Sequence, residues 1–212
     1  PDKTIPSPRQ LNNATFLLSV TEGEMPEIPS AGGQRFEKID SKSGRLVASA
    51  ETFVEASEED RKNPKFLGHS AMISTNDPMI KALAAKALKG KEVLLPRERA
   101  ELLRRFVFKH ISHKEMGMGF AGSAEVAKTA AGDCSEHGVL LAALLRADGI
   151  PARVVSGLEY AEEFAGEKNI FAYHMWTQAL LEFDGKMRWV DLDSTLPGMR
   201  QGFDATHIAV SV

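Results

Sequence analysis

The sequence predicts an α+β protein, because strand-forming and helix-forming segments occupy separate blocks of the chain. Residues 14–55 hold short runs of strand-forming residues separated by turns. Residues 76–149 instead place apolar residues at the spacing of amphipathic helices. After Pro151 the alternating pattern of strands returns, so the helices are expected to form one block between two sets of strands.

The N-terminal third predicts a small β-rich segment. Residues 1–13 are polar and contain proline, which predicts a loose lead-in. The predicted strands cover Ala14–Val20, Gln34–Ile39 and Arg45–Glu55, and the last two form a hairpin. Charged residues at positions 56–70 predict a solvated linker. The chain is therefore divided into a β-rich segment with its linker, residues 1–70, and a larger domain, residues 71–212.

The helical block begins with three predicted helices. The first starts at Pro78 after an aspartate cap and ends at Gly90. The second starts near Pro96 with an apolar stripe, and a short third helix follows Ser123. Between the second and third, Gly117–Gly122 predicts a turn without a phosphate-loop pattern.

The C-terminal block predicts an antiparallel sheet. Its predicted strands cover Ala152–Leu158, Phe171–Phe183, Met187–Asp193 and a weakly alternating edge strand, Ala205–Val212. Between the first two strands, the polar and acidic residues Glu159–Ile170 predict a long loop of the kind that carries function.

Composition excludes several classes of protein. The chain has 212 residues, of which 43% are hydrophobic and 26% charged, as in ordinary globular domains. A net charge of -3 gives no indication of a nucleic-acid partner, and no apolar run could span a bilayer. A single cysteine excludes an internal disulfide and a cysteine-based zinc site. The first residue, Pro1, predicts a fragment without its native N-terminus, which leaves the compartment open, with a periplasmic or extracellular one compatible.

Cys134 is the residue around which the predicted chemistry is arranged. It falls in the first turn of the most apolar helix, which runs through Gly138–Ala147 and stops at Gly149. Asp133 is a good N-cap, and Glu136 follows three residues later, as in a capping box. The helix dipole favours a thiolate there by about 0.3–1 kcal/mol. The thiolate is the nucleophilic form of cysteine, but the charge of Asp133 opposes it, so a basic partner is needed.

A hairpin in the C-terminal block supplies the candidate base. Asp184-Gly185 is a strong signal for a two-residue turn. The register that this turn sets makes His174 and Asp193 diagonal neighbours on one face of the hairpin. Asp191 shares that face but pairs one step further from His174, so the geometry favours Asp193 over Asp191.

These positions predict nucleophilic catalysis. His174 would take the proton of Cys134, while Asp193 would accept a hydrogen bond from the other ring nitrogen and fix the tautomer. The thiolate would attack an amide carbonyl, the backbone N–H of Cys134 would bind the oxyanion, and a thioester would remain. Taken alone, Cys134 is more often a buried small hydrophobe, and a strand histidine is more often structural. Their coincidence with the aspartate favours the catalytic interpretation.

Other residues receive structural interpretations. Trp176 and Trp189 are interpreted as core residues rather than as a substrate platform. His137 lies one helical turn beyond the cysteine and is at most a supporting residue. His110 and His113 are spaced like metal ligands, but no third ligand accompanies them, so no metal site is predicted.

Three motifs resemble those of the transglutaminase-like superfamily. They are Gly132–His137 with the following Leu140–Leu144 and Gly149–Arg153, then His174–Trp176, and finally Trp189–Thr195. Together they are highly specific, and the resemblance covers about residues 71–200. Two positions depart from the family pattern: Gln178 stands where glutamate is common, and Ser194 stands where proline often follows the aspartate.

The resemblance implies a papain-like, transglutaminase-core fold, with a nucleophile helix packed on an antiparallel sheet over residues 71–212. It implies a triad of Cys134, His174 and Asp193, and chemistry without a metal or organic cofactor. The expected function is that of a bacterial-type cysteine peptidase or amidase, which cleaves protein or peptide substrates through a thioester. One alternative is a protein-glutamine γ-glutamyltransferase. Another is a non-catalytic protein-binding module on the same fold, against which the intact triad argues.

Overall fold

The computed structural model describes residues 1–91, 93–114, 120–197 and 202–212. Its α-helices are α1 (Glu58–Lys62), α2 (Pro78–Leu88), α3 (Pro96–His110), α4 (Ser123–Thr129) and α5 (Cys134–Ala147). Its strands are β1 (Asn13–Ser19), β2 (Gln34–Lys38), β3 (Ser43–Ser49), β4 (Ala152–Phe164), β5 (Glu167–Phe183), β6 (Lys186–Leu192) and β7 (His207–Ser211). Residues 117–119 of the predicted glycine-rich turn lie outside the described residues.

The larger sheet has four antiparallel strands in the order β6-β5-β4-β7. Asp184-Gly185 forms the turn between β5 and β6, with Phe183 opposite Lys186 and Thr177 opposite Leu192. This is the predicted register. Strand β7 lies at the sheet edge, also as predicted.

Helix α5 forms the centre of the main hydrophobic core. Every residue from Ser135 to Leu145 is buried, because α5 packs on β4 and β5 with one face and against α2, α3 and α4 with the others. The prediction of a helix buried on almost every side is confirmed. So is the predicted α+β fold, in which the cysteine-bearing helix packs on an antiparallel sheet. Among the described helices, none has the length and apolar character needed to cross a membrane.

The smaller sheet has the order β1-β3-β2 and contacts the C-terminal part of the chain. Leu46 and Ala48 of β3 share a buried cluster with Ala205 and Ile208. The side chain of Gln34 hydrogen-bonds both the carbonyl and the amide of Ala209, at 2.9 and 2.8 Å. The β-rich segment therefore packs directly against strand β7.

The prediction of a loop over Glu159–Ile170 is wrong. Strands β4 and β5 continue through this segment and pair from Glu159–Ala172 to Phe164–Glu167. The turn between them is Ala165-Gly166, whose φ angles are 52° and 87°. Cross-strand hydrogen bonds hold this hairpin, so its polar residues need no buried face, and the alternation that marks a strand is missing.

Two N-terminal predictions are also corrected. Strand β3 ends at Ser49 rather than Glu55. Residues 1–13 are not a loose lead-in, because a 3-10 turn at Pro8–Gln10 carries Arg9 into ion pairs with Glu159 and Asp204. Residues 56–70 hold α1 and a second 3-10 turn, Pro64–Phe66, and no residue of α1 is buried, as expected of a solvated segment.

An aromatic contact anchors residues 56–70 to strand β6. Phe66 is buried against Trp189, with ring centroids 4.8 Å apart. The indole of Trp189 donates a hydrogen bond of 3.0 Å to Asp60. Trp189 and Trp176 are each only 2% exposed, so their interpretation as core residues is confirmed.

Candidate active site

Cys134 occupies the first position of α5, where the predicted capping box is present. Asp133 accepts from the amide of Ser135 at 2.9 Å, and Glu136 accepts from the amide of Asp133 at 3.0 Å. The amides of the first helical turn have no acceptor within the helix, so the backbone N–H of Cys134 is available by geometry to bind an anion. The cysteine side chain is partly exposed.

Glu136 ties this turn to the rest of the protein. Its side chain is 1% exposed and also accepts from the amide of Ala121 at 2.9 Å. Gly132 lies against it with a φ of 148°, and a Cβ atom at Gly132 would stand 2.2 Å from the Cβ of Glu136. The turn that presents Cys134 therefore requires glycine at position 132.

His174 lies on β5 and contacts both other predicted site residues. Its Nε2 lies 2.8 Å from Oδ2 of Asp193, and the His174 ring lines the same two clefts as Cys134, close enough for the cysteine to bear on its pKa. Because Nε2 faces Asp193, Nδ1 is the ring nitrogen that remains for another partner. The structure thus brings Cys134, His174 and Asp193 together in the predicted order.

Electrostatics favour an imidazolium at His174. Burial lowers the pKa of His174, but the charge and hydrogen bond of Asp193 outweigh it and raise the pKa to about 11. Burial likewise raises the pKa of Asp193, yet the charge of His174 holds it well below its usual value. At neutral pH the ring that shares the clefts with Cys134 is therefore positively charged and can donate from both nitrogens.

Asp193 is held on all sides. Its Oδ1 accepts from the backbone amide and the hydroxyl of Thr195, each at 2.7 Å. Its carbonyl accepts from Arg104 at 3.0 Å, and Arg104 also binds the carbonyl of Leu196. Arg104 is fully buried on the apolar stripe of α3, between Leu103 and Val107. Arg104 stands at the helical spacing of these buried apolar residues. A charged residue at such a position indicates a buried partner, and this is the signal by which the sequence could have revealed the contact with Asp193.

Asp191 has a structural environment. Its carboxylate accepts from Trp176 and Gln178, each at 2.8 Å, and from the amide of Gly33 at 2.7 Å. It contacts the β-rich segment rather than His174. The preference for Asp193 over Asp191 as the neighbour of His174 agrees with this geometry.

Two clefts meet at Cys134 and His174. One has a volume of about 340 Å³, and its walls include Phe120, Met175 and Val210. The other has a volume of about 420 Å³, and its walls include Phe164, Glu159 and Lys114. Tyr173 lines both clefts and is 92% exposed. The reactive pair therefore lies at the junction of two open, largely apolar clefts.

Two supporting residues near the pair were not predicted. Glu159 places a carboxylate oxygen 3.6 Å from Nε2 of His174, and His207 places its own Nε2 3.3 Å from Asp193. Glu159 was hidden in the segment predicted as a loop. His207 lies in the predicted edge strand, whose weak pattern gives no signal for a buried histidine.

The ligand atoms of Glu159, His174, Asp193 and His207 all lie within 4.8 Å of one another. This spacing would suit a metal, but these groups already satisfy one another as two imidazoles facing two carboxylates. A metal there would displace the proton that joins His174 to Asp193. The cluster is therefore described better as a proton-sharing network.

Two further histidines have backbone partners. The Nε2 atom of His110 lies 3.1 Å from the carbonyl of Ala127, which leaves Nδ1 as the ring nitrogen for any other partner. His137 points its Nδ1 toward the carbonyl of Asp133, at 2.6 Å. His137 thus contacts the cap of α5 and lines the larger cleft.

Comparisons with known proteins concern the family and the fold of this chain. Residues 81–194 match the family model of the transglutaminase-like superfamily. A candidate cysteine protease from Cytophaga hutchinsonii aligns over 95% of this chain and 76% of its own, with a TM-score of 0.55 and 17% identity. The periplasmic domain of TgpA from Pseudomonas aeruginosa, bound to ethylmercury, aligns over 92% of this chain and 87% of its own, with a TM-score of 0.55 and 18% identity. At such identities the likeness concerns the fold alone. No curated protein matches the chain in sequence.

Proposed function

We propose, because the chain belongs to the transglutaminase-like superfamily, that it is a thiol-dependent amide hydrolase, a cysteine peptidase that works through a thioester. The observation that carries the proposal is the position of Cys134 at the start of α5, against an imidazole whose Nε2 lies 2.8 Å from a buried carboxylate. This combination of nucleophile, proton donor and orienting anion suits thiol-dependent hydrolysis of an amide.

The chemistry follows from the proton positions. The sulfur of Cys134 attacks the amide carbonyl, and the oxyanion accepts from the backbone N–H at the helix start. His174 gives its proton to the leaving amine as the C–N bond breaks, which leaves an acyl thioester. Water then attacks the thioester while His174 takes its proton, and the acid product leaves with the thiolate regenerated. Asp193 keeps the imidazole oriented throughout.

The clefts support a polypeptide substrate. They extend to both sides of Cys134, so a chain could continue past the cleaved bond in either direction. Phe120 is 72% exposed beside one cleft, and Phe164 is 44% exposed beside the other. Exposed aromatic side chains along a cleft favour apolar residues on both sides of the cleaved amide. We therefore infer internal cleavage of extended, apolar polypeptide segments.

The test combines labelling with cleavage. Iodoacetamide should alkylate Cys134 rapidly at pH 6 in the wild type, because the ring of His174 lies in the same clefts as the thiol and can take up its proton. His174→Ala should lose this rapid reaction by about 10²-fold or more. Peptide mixtures should be cut by the wild type and left intact by Cys134→Ala.

The alternatives give different results. If an added amine reacts with the thioester in preference to water, the protein is an acyltransferase. One of the two clefts would then hold the amine. Slow labelling that rises only near pH 8.5, together with no cleavage, would contradict the hydrolase and favour a binding module on this fold.

A further inference from the structure

A second histidine is buried directly behind the carboxylate of Asp193. The side chain of His207 is 0% exposed, and its Nε2 lies 3.3 Å from the Oδ2 atom that also faces His174. Its Nδ1 lies 3.1 Å from the carbonyl of Asp204. The ring packs on Phe203, with centroids 4.3 Å apart, so both its position and its tilt are fixed.

The partner on the other side of His207 is itself anchored. Oδ1 of Asp204 accepts from the amide and the hydroxyl of Thr206, at 2.8 and 2.5 Å. Oδ2 of Asp204 pairs with Arg9 at 2.5 Å, and Arg9 also pairs with Glu159. A continuous chain of polar contacts therefore runs from the N-terminal 3-10 turn through His207 to Asp193.

Anions surround the ring of His207. The charged and titratable groups that face it from β4, β5, β6, β7 and the preceding turns are Glu159, His174, Asp191, Asp193 and Asp204, with Arg9 behind Asp204. Burial lowers the pKa of His207, but the hydrogen bonds of Asp193 and Asp204 raise it to about 9. At neutral pH His207 is therefore a second imidazolium on the carboxylate that orients His174.

We propose that His207 is a positioning residue for the reaction at Cys134: its Nε2–H holds Oδ2 of Asp193 toward His174. This role rests on the proposed function. Thr195 holds Oδ1 of the carboxylate, and His207 adds a second donor to Oδ2, so the oxygen that faces His174 is also held from its other side. The charge of His207 also keeps Asp193 ionised, so that His174 has an anion to orient it.

Two substitutions test the two ring nitrogens of His207 independently. The amide nitrogen of glutamine reaches about as far from the backbone as Nε2, whereas that of asparagine reaches about as far as Nδ1. His207→Gln should therefore retain the donor to Asp193, and His207→Asn should lose it. We expect alkylation of Cys134 at pH 7 to stay within about threefold of wild type in His207→Gln and to fall about 10- to 100-fold in His207→Asn.

A second measurement follows the pH at which the carboxylate of Asp193 is protonated. Both variants lack the positive charge of His207, so the carboxyl carbon of Asp193, observed by NMR, should titrate at higher pH than in the wild type. Thermal unfolding of each variant shows that the comparison is made on folded protein. Equal loss of alkylation in both variants with an unchanged Asp193 titration would overturn the proposal, since that pattern marks a packing role alone.

The two proposals fail in different ways. If the wild type alkylates slowly but the Asp193 titration shifts as expected, His207 still positions the carboxylate, and the proposed hydrolase activity is wrong. If the wild type alkylates rapidly and His207→Asn matches it, the hydrolase stands and the positioning role is wrong.

Discussion

Asp191 and Asp193 are buried carboxylates two residues apart whose surroundings give them opposite proton affinities. Burial raises the pKa of Asp191, and the hydrogen bonds of Trp176, Gly33 and Gln178 offset this only in part, because no cation among the described residues pairs with its carboxylate directly. The pKa of Asp193 is lowered despite equal burial, because His174 and His207 place positive charge on it. Asp193, which pairs directly with a histidine, therefore stays ionised and can stabilise an imidazolium, whereas Asp191 has no such pair in the described part of the chain.

Substitution of each aspartate by asparagine should separate these roles. Asp193→Asn removes the charge beside His174 and should lower the rate of Cys134 alkylation and peptide cleavage on the order of 10²- to 10⁴-fold. Asp191→Asn keeps the volume and lies away from the imidazole, so it should change those rates less than about tenfold. Equal rate losses in the two variants at equal unfolding temperature would contradict the assignment.

The strand alternation and the Asp184-Gly185 turn were sufficient to predict which aspartate lies beside His174. They fix the register of β5 against β6, and the register fixes the face. The partners of Asp191 and Asp193 from outside the hairpin were not predictable. Gly33 and His207 reach these carboxylates through packing between segments distant in sequence, and no local pattern records that packing.

Two glycines with positive φ flank helix α5, each two residues beyond its end, but their surroundings differ. Gly132, at 148°, faces Glu136, whereas Gly149, at 81°, has no atom within 4 Å of an added Cβ. Both ends were predicted from the sequence, because capping residues and stop signals act locally. The crowding at Gly132 was not predictable, since it depends on how Glu136 folds back over the cap.

Alanine at the two glycines should therefore have unequal effects. Gly149→Ala introduces only the backbone penalty, about 1–2 kcal/mol. Gly132→Ala adds a collision with Glu136, so it should destabilise the protein by more and slow alkylation of Cys134, since the thiol is displaced. Urea unfolding and the alkylation rate measure both effects. Alkylation that slows equally in Gly149→Ala would show that general destabilisation is the cause.

The β4–β5 hairpin beyond the core shows why an element can be missed by periodicity. Glu159 to Phe164 pair with Glu167 to Ala172, and among these residues only Tyr160 is buried. A polar two-stranded ribbon has no hydrophobic alternation, so its sequence resembles that of a loop. Its extended backbone has a consequence for the site, because it carries Glu159 to the His174 ring.

Contacts between the β-rich segment and the C-terminal sheet converge behind the site. Arg9 pairs with Asp204, the amide of Gly33 donates to Asp191, and Gln34 clamps Ala209. The predicted boundary near residue 70 stays a prediction. What the contacts establish is that residues 1–70 supply polar partners to the carboxylates around His174, so the two parts of the chain are coupled.

The charge network of the whole molecule should appear in the pH dependence of its stability. The pKa of His207 rises from 6.5 to about 9 on folding. The resulting stabilisation is fully present below about pH 6.5 and is lost as pH rises through about 9, because the folded state then loses its extra proton. His174, with a pKa of about 11, extends the loss to higher pH. Asp193 acts in the opposite sense, since its lowered pKa gives stabilisation that is lost as pH falls below its usual value of 3.8.

Urea unfolding of the wild type between pH 5 and 10 should therefore show stability that is highest near pH 5–6 and declines above it. In His207→Gln the decline between about pH 6.5 and 9 should be smaller, by on the order of 3 kcal/mol, because the titrating group is absent. The two curves should then converge as the wild type loses the same proton. Parallel curves across this range would mean that His207 is already neutral in the folded protein, and that the second positive charge on Asp193 is absent.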